Sequence, residues 1–200
     1  MARRHLVIDA DDTLWENNIY FEAAFSRFRR LLNHSRMTAG EVRAALDVIE
    51  LESIKIHGDG AVNFARNLRC CLERLAERSV TEAELQAAEA LALDILEHPI
   101  QLLPGVAATL AQLAHHHQLI LFTKGSCSER QAKLDRSGIA HYFDHVVIVK
   151  EKDAAAYRAL AENLQFALRE TWMVGNSPKS DINPALEVGR NAACVPHPHT

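Results

Sequence analysis

The sequence predicts an α/β protein built on a doubly wound parallel sheet, with an all-helical segment inserted after the first strand. Three observations support this prediction. Five short apolar runs lack clean polar alternation, as do strands that helices cover on both faces. Helix-like stretches separate the last four runs, and such repetition produces a parallel sheet with right-handed crossovers. Between residues 16 and 100 no strand signal occurs, while Ala, Leu, Glu and Arg dominate.

Each predicted element can be assigned a range. The strands are Leu6–Asp9, Leu119–Phe122, His145–Val149, Trp172–Val174 and Ala192–Val195. The helices between the last four strands are Ser128–Arg136, Ala154–Leu164 and Asn183–Val188. The insertion fits four helices, at Asn18–His34, Ala39–Ile56, Gly60–Arg78 and Glu82–Glu97. Candidate N-caps are Thr38, Asp59 and Thr81, and Thr81 with Glu84 has the spacing of a capping box. We expect a core domain of residues 1–15 and 101–200 and a helical domain of residues 16–100.

Composition and charge narrow the functional classes. Of the 200 residues, 48% are apolar, which suits a large buried core. The formal net charge of -4 gives no whole-chain positive field for nucleic acid or an anionic membrane. The first apolar run is too short for a signal peptide, and none approaches the roughly 20 residues that cross a bilayer. The four cysteines form no CxxC pair, which favours reduced thiols. We expect a cytoplasmic monomer or homodimer without nucleic-acid or membrane partners.

Polar groups follow the predicted strands at the edge where open parallel sheets bind ligands. The segments are Asp9–Leu14, Thr123–Ser126, Lys150–Asp153 and Gly175–Asp181. They bring carboxylates, hydroxyls, lysines and a Gly-Asn turn to one edge. This combination suits a divalent cation together with a phosphate group.

The chemistry expected of these groups depends on their types. Of two carboxylates two residues apart, Asp9 and Asp11, one can attack as a nucleophile while the other handles the proton of the leaving group. Clustered carboxylates repel each other and a phosphate, so they need a cation, and Mg²⁺ prefers oxygen ligands. Thr123 and the backbone around Gly125 offer a hydroxyl and free N–H groups to phosphate oxygens. A lysine from the third strand would offset the charge on the nucleophile and the phosphoryl group.

These segments resemble, in order, the four motifs of the haloacid dehalogenase-like (HAD) hydrolase superfamily. Motif I resembles Asp9-x-Asp11-x-Thr13-Leu14, motif II Thr123, motif III Lys152, and motif IV Gly175-Asn176-Ser177 through Asp181. The resemblance covers about residues 1–15 and 101–196. It implies a Rossmann-like core with a helical cap inserted after motif I, dependence on Mg²⁺, and an aspartyl-phosphate intermediate.

The resemblance also implies a role for each matching residue. Asp9 is the nucleophile and a metal ligand, Asp11 the general acid–base whose backbone carbonyl also binds the metal, and Asp181 a metal anchor. The catalytic set is Asp9, Asp11 and Lys152, the substrate-binding set Thr123, Lys124 and Gly125, and the metal set Asp9, Asp11, Asn176 and Asp181. Lys124 could equally be a solvated loop residue. The expected activity is hydrolysis of a phosphate monoester of a small phosphorylated metabolite.

Two departures from the family pattern leave alternatives open. Asn176 stands where many members have Asp, although an amide oxygen can still bind a metal. The Lys-Pro of motif III is absent and Lys150 competes with Lys152; we favour Lys152 because it directly precedes the helix that starts near Asp153. A degenerate site that binds without turnover is therefore one alternative. Dehalogenation of a small haloacid is another, in which halide leaves without a proton and Asp11 has no role.

Other polar residues have simpler interpretations. Asp181 could instead be the N-cap of the helix near Asn183. The run His115–His117 is interpreted as a polar helix end, since adjacent helical residues point in different directions. His197 and His199, in a proline-broken tail, are likewise not assigned to a metal. The sequence leaves open the substrate and the residues of the helical domain that select it.

Overall fold

A computed structural model describes residues 3–198 of the chain. The chain divides into two compact units. One contains the residues up to Asn18 and from Pro99 onward, and the other is Ile19–His98. Among the described residues, no helix combines the length and the apolar character that crossing a membrane requires.

The first unit is built on a sheet of five parallel strands, which confirms the predicted fold class. The strands are β1 (His5–Ile8), β2 (Gln118–Lys124), β3 (His145–Val149), β4 (Thr171–Gly175) and β5 (Asn191–Cys194). Their order is β3-β2-β1-β4-β5, and every neighbouring pair is parallel. β1 is therefore central, with Ile8 in register with Leu121 on one side and Val174 on the other. The residues directly after β1 lie in the middle of the carboxyl edge.

The second unit is entirely helical. Its helices are α1 (Asn18–Leu32), α2 (Ala39–His57), α3 (Ala61–Leu75) and α4 (Glu82–Glu97). Thr38 and Thr81 are N-caps, each in a reciprocal capping box with the glutamate three residues later, which satisfies two otherwise unpaired backbone donors. The prediction of Asp59 as an N-cap is wrong. Gly60 takes that position, because its φ of 144° and ψ of 170° suit only glycine and delay the helix start to Ala61.

Within residues 3–198, the sheet unit contains four further α-helices. They are α5 (Val106–Ala114), α6 (Cys127–Ser137), α7 (Ala154–Leu164) and α8 (Asn183–Glu187). Apolar side chains cover both faces of the sheet, with Leu121 in one buried cluster and Ile120 in the other. The last predicted helix, Asn183–Val188, corresponds to α8, but a π-helical turn that the sequence did not predict, Pro178–Ile182, precedes it. That turn carries one of the candidate site residues.

Candidate active site

Asp9 directly follows the central strand and is buried at the carboxyl edge of the sheet. Its backbone N–H donates to the carbonyl of Val174 at 2.9 Å, so the position extends the β1–β4 pairing by one residue. Its side chain is only 8% exposed. A carboxylate so placed is held by the most constrained part of the fold.

Lys152 joins Asp9 to Asp181. Its ammonium forms ion pairs with Oδ1 of both carboxylates, and it also lies 3.4 Å from the carbonyl oxygen of Phe122. The Lys152 side chain is 2% exposed and that of Asp181 is 0% exposed. Lys150, the competing lysine, is exposed. Lys152 is thus the lysine that the third strand delivers to the carboxylates.

One ammonium between two buried carboxylates leaves an excess negative charge. Burial raises the pKa of Asp9 to about 6, Lys152 opposes this rise, and the neighbouring Asp181 adds to it. The pKa of Lys152 is raised because its two carboxylate partners outweigh its burial. An all-oxygen group with unbalanced negative charge is the environment that Mg²⁺ prefers. The residues therefore fit a divalent cation.

The Gly175–Asp181 segment wraps tightly around the Asp181 carboxylate. A Cβ atom at Gly175 would overlap that carboxylate, so only glycine fits. Oδ2 of Asp181 accepts a hydrogen bond from the N–H of Ser177 at 2.9 Å. The alternative of Asp181 as the N-cap of α8 is wrong, because Ile182 is at the N-cap and Asp181 lies inside the π-helical turn.

Thr13 links the first motif to the fourth. Its hydroxyl oxygen lies 3.1 Å from Oδ2 of Asp9 and 3.1 Å from the amide oxygen of Asn176. The N–H of Asn176 donates to the same hydroxyl at 3.1 Å. These contacts bring the Asn176 amide oxygen close to the Asp9 carboxylate. A metal ion bound by Asp9 could therefore take that oxygen as a further ligand.

Asp11 is held by a second set of charges. Arg130 Nη1 lies 2.9 Å from its Oδ2, and Lys133 Nζ lies 3.0 Å from its Oδ1. The indole N–H of Trp15 donates to Oδ1 at 2.8 Å. Burial alone would raise the pKa of Asp11, but Arg130 and Lys133 outweigh it and lower this pKa to about 2. At neutral pH the carboxylate is ionised in this arrangement.

Arg130 and Lys133 were not predicted as site residues. They lie three residues apart on one face of α6, and both are buried. Gly125 has a φ of 127°, and a Cβ there would lie 2.9 Å from the Nε of Arg130. Arg130 also donates from Nε to the carbonyl of Lys124 at 2.8 Å. A basic i,i+3 pair directly after the predicted phosphate loop was the available sequence signal.

One backbone donor of the loop after β2 is already engaged in the protein. The N–H of Gly125 donates to the carbonyl of Val149 at 2.9 Å, so it is engaged rather than free for a phosphate. Thr123 is buried one residue before the end of β2. The Lys124 ammonium lies 3.6 Å from a carboxylate oxygen of Glu151, and its side chain is 33% exposed. Substrate contacts by Thr123 and Lys124 stay predictions.

The histidines that the sequence raised as possible metal ligands lie in different environments. His115 and His116 are exposed, and Nδ1 of His117 accepts from the N–H of Arg4 at 3.3 Å. His197 Nε2 lies 3.2 Å from a Glu16 carboxylate oxygen and 3.8 Å from Oδ1 of Asp12. The ligand atoms of Asp12, Glu16 and His197 lie within 4.8 Å of one another. His199 lies outside the described residues.

Comparison with known proteins agrees with this geometry. A family model described as haloacid dehalogenase-like hydrolase matches residues 4–189, and the chain belongs to this family. No curated protein sequence matches the chain significantly.

Solved structures with the same fold carry different activities in their names. A haloacid dehalogenase-like family hydrolase from Xanthomonas campestris is 26% identical, with a TM-score of 0.91 over 98% of this chain and 82% of that one. A 2-haloacid dehalogenase from Pseudomonas syringae is 23% identical, with a TM-score of 0.64 and coverages of 96% and 85%. A predicted phosphoglycolate phosphatase from Haemophilus somnus is 18% identical, with a TM-score of 0.65 and coverages of 96% and 84%. The chain is therefore a HAD-like hydrolase by family, and the two more distant structures establish only the fold.

Proposed function

We propose that this hydrolase is a Mg²⁺-dependent phosphomonoesterase that acts through an aspartyl phosphate on a small phosphorylated metabolite. The observation that carries the proposal is the buried Asp9 carboxylate at the end of the central strand, paired by Lys152 beside a second carboxylate. A nucleophile in this position has a cationic neighbour that can stabilise a transferring phosphoryl group.

The charge of the whole site supports a phosphate substrate. Three carboxylates, those of Asp9, Asp11 and Asp181, are paired with three cations, those of Lys152, Arg130 and Lys133. With all six groups charged, the side chains sum to zero. A divalent cation adds two positive charges, and a phosphomonoester dianion balances them. A singly charged haloacid would leave the site with a net charge, with or without the divalent cation.

The residues that would hold Mg²⁺ are Asp9, Asp181, the amide oxygen of Asn176 and the backbone carbonyl of Asp11. When bound, the ion would offset negative charge on the phosphoryl oxygens. The Asn176 amide oxygen is a neutral ligand. Of the four protein ligands, only Asp9 and Asp181 would therefore supply carboxylate charges.

The reaction consists of two displacements at phosphorus. A carboxylate oxygen of Asp9 attacks phosphorus, the bond to the ester oxygen breaks, and a proton from Asp11 neutralises the leaving alkoxide. The Asp11 carboxylate then removes a proton from water, the water oxygen attacks phosphorus, and the bond to Asp9 breaks. The second step uses Asp11 in the ionised form that Arg130 and Lys133 favour. The first step needs a proton on Asp11, so substrates with stable anionic leaving groups should react fastest.

The test is phosphate release from an aryl phosphate with and without Mg²⁺, using Asp9→Asn as the matched control. We expect release that requires Mg²⁺ and falls to background in the variant, whose side chain keeps its size but is a poor nucleophile. Activity that persists in highly purified Asp9→Asn would refute the mechanism. Absence of release from a broad panel of phosphate esters would favour a degenerate site that binds without turnover.

A second candidate function is dehalogenation of a small haloacid, and the pairing of Asp11 favours it. A carboxylate that Arg130 and Lys133 keep ionised is a poor proton donor, and a halide leaves without a proton. Chloride release from a 2-chloro acid in the presence of EDTA would support this function. Asp11→Asn should leave that release unchanged, whereas it should impair hydrolysis of a phosphate ester.

The cap role of the helical unit, the cytoplasmic location and the monomeric or homodimeric state remain predictions from the sequence.

A further inference from the structure

Tyr157, on α7, lies next to the candidate site but outside every motif that the sequence displays. The residue is fully buried. Its hydroxyl lies 3.2 Å from the carbonyl oxygens of both Ser180 and Asp181. One buried hydroxyl thus supports the backbone on which a candidate metal ligand is carried.

The turn around Asp181 needs this support because of its own sequence. In the π-helical turn the carbonyl of Ser177 accepts from the N–H groups of Asp181 at 2.9 Å and Ile182 at 3.2 Å. The α-helical donor for the Ser180 carbonyl would be the N–H of residue 184, but Pro184 has none. The Tyr157 hydroxyl supplies this carbonyl with a hydrogen-bond donor at 3.2 Å.

The ring of Tyr157 reaches the other half of the site. It packs edge-on against Phe122, with ring centroids 5.0 Å apart. The Phe122 carbonyl lies 3.4 Å from the ammonium of Lys152, which pairs with Asp9 and Asp181. Tyr157 therefore contacts both the turn that carries Asp181 and Phe122, whose carbonyl lies beside the Lys152 ammonium.

Arg190 fixes Tyr157 in turn. Its guanidinium carbon lies 5.0 Å from the Tyr157 ring centroid and 5.1 Å from that of Phe166. Its Nη2 donates to the Tyr157 carbonyl at 3.1 Å, while Nε and Nη1 have no hydrogen-bond partner among residues 3–198. A buried cation between two aromatic rings is stabilised by cation–π contact with both rings. The Tyr157 ring is thus restrained by Phe122 and by Arg190.

We propose that Tyr157 is a positioning residue of the candidate metal site. Its hydroxyl sets the turn that carries Asp181, and its ring sets the strand end that holds the Lys152 ammonium. The proposal rests on the proposed metal-dependent function and adds to it a residue that touches neither the metal nor the substrate. Loss of the hydroxyl should weaken metal binding while leaving the fold in place.

The experiment measures Mn²⁺ binding by the electron paramagnetic resonance signal of the free ion, with Mn²⁺ standing in for Mg²⁺. The proteins are wild type, Tyr157→Phe and the control Tyr142→Phe, which removes a hydroxyl from a partly exposed tyrosine in the same unit. Tyr157→Phe should bind Mn²⁺ about tenfold more weakly, as loss of an outer partner of a metal ligand usually does. Tyr142→Phe should bind as wild type does. Unfolding curves recorded in parallel confirm that each protein is folded.

A rescue variant separates positioning from general destabilisation. Pro184→Ala restores an N–H that can serve the Ser180 carbonyl, so combined with Tyr157→Phe it should recover part of the lost Mn²⁺ affinity. It also keeps the positioning role testable if Tyr157→Phe alone folds poorly. In steady-state assays, Tyr157→Phe should raise the Mg²⁺ concentration for half-maximal activity more than it lowers kcat at saturating Mg²⁺.

The outcomes are distinguishable. Equal Mn²⁺ affinity in wild type and Tyr157→Phe would overturn the positioning role and leave the proposed function standing. Equal weakening in Tyr157→Phe and Tyr142→Phe would also overturn it. A wild-type protein that binds no Mn²⁺ would overturn the proposed function itself, and this proposal with it.

Discussion

Stability of the metal-free protein should fall as the pH rises from weakly acidic to neutral, and Asp9 should be the cause. The pKa of Asp9 is raised from 3.8 to about 6 in the folded protein, mainly by burial. A carboxyl with a raised pKa binds its proton more tightly in the folded state. Its contribution to stability is therefore complete below about pH 4 and is lost as the pH rises through about 6.

The size of the effect depends on the two pKa values. Between about pH 5 and about pH 7.5 the linkage relation gives a loss of about 1 kcal/mol from Asp9 alone. Asp11 does not contribute in this range. Its pKa is lowered from 3.8 to about 2, so its stabilisation is present above about pH 4 and is lost only as the pH falls towards 2.

The assay is urea unfolding in EDTA, followed by tryptophan fluorescence. Both tryptophans, Trp15 and Trp172, belong to the sheet unit, so the signal reports on the unit that contains Asp9. A loss of about 1 kcal/mol corresponds to a midpoint lower by roughly 0.3–1 M urea at the higher pH. Asp9→Asn has no proton to lose and should lack this part of the pH dependence.

Two results would refute the reasoning. One is a wild-type protein that is at least as stable near pH 7.5 as near pH 5 without metal. The other is an Asp9→Asn variant with the same pH dependence as wild type. Either would mean that Asp9 is not a buried carboxyl whose ionisation opposes folding.

Particular contacts give three further predictions. Asp11→Asn should slow hydrolysis of an alkyl phosphate about 100-fold more than that of p-nitrophenyl phosphate, because only the alkoxide needs a proton; equal losses, measured as kcat/KM, would contradict the acid role. Gly175→Ala should lower both the unfolding midpoint and Mn²⁺ affinity because its Cβ would overlap the Asp181 carboxylate, whereas Gly40→Ala, with no atom within 4 Å of the new Cβ, should do neither. Thr81→Ala should cost about 1 kcal/mol of helical-unit stability through loss of the capping box, seen by far-UV circular dichroism, and an unchanged midpoint would argue against the cap.

Much of the fold was predictable because its signals are local. Buried parallel strands are short apolar runs, and all five were located, with β3 matching its predicted range, His145–Val149. The same holds for α4, where Thr81 and Glu84 mark the helix start. The misplaced N-cap at Asp59 arose because the backbone conformation of Gly60 decided where the helix starts, and no local pattern indicated the π-helical turn before α8.

The candidate site was predictable only as far as it lies at strand ends. Asp9, Asp181 and a lysine could be assigned to one edge, because the carboxyl ends of parallel strands meet there. The sequence already favoured Lys152 over Lys150, and the structure adds that Lys152 is buried between two carboxylates while Lys150 is exposed. Side-chain direction after a strand end depends on loop geometry that no apolar pattern records.

By itself, the sequence determined the parallel sheet, the helical insertion and the edge at which carboxylates and lysine converge, because hydrophobic periodicity and strand-end residues encode these features over short distances. Only the tertiary structure decided what surrounds those groups. Lys133 is 122 residues from Asp11 in the chain, and Tyr157 is 24 residues from Asp181. Their contacts depend on how α6 and α7 pack against the sheet, and packing is a property of the whole folded chain.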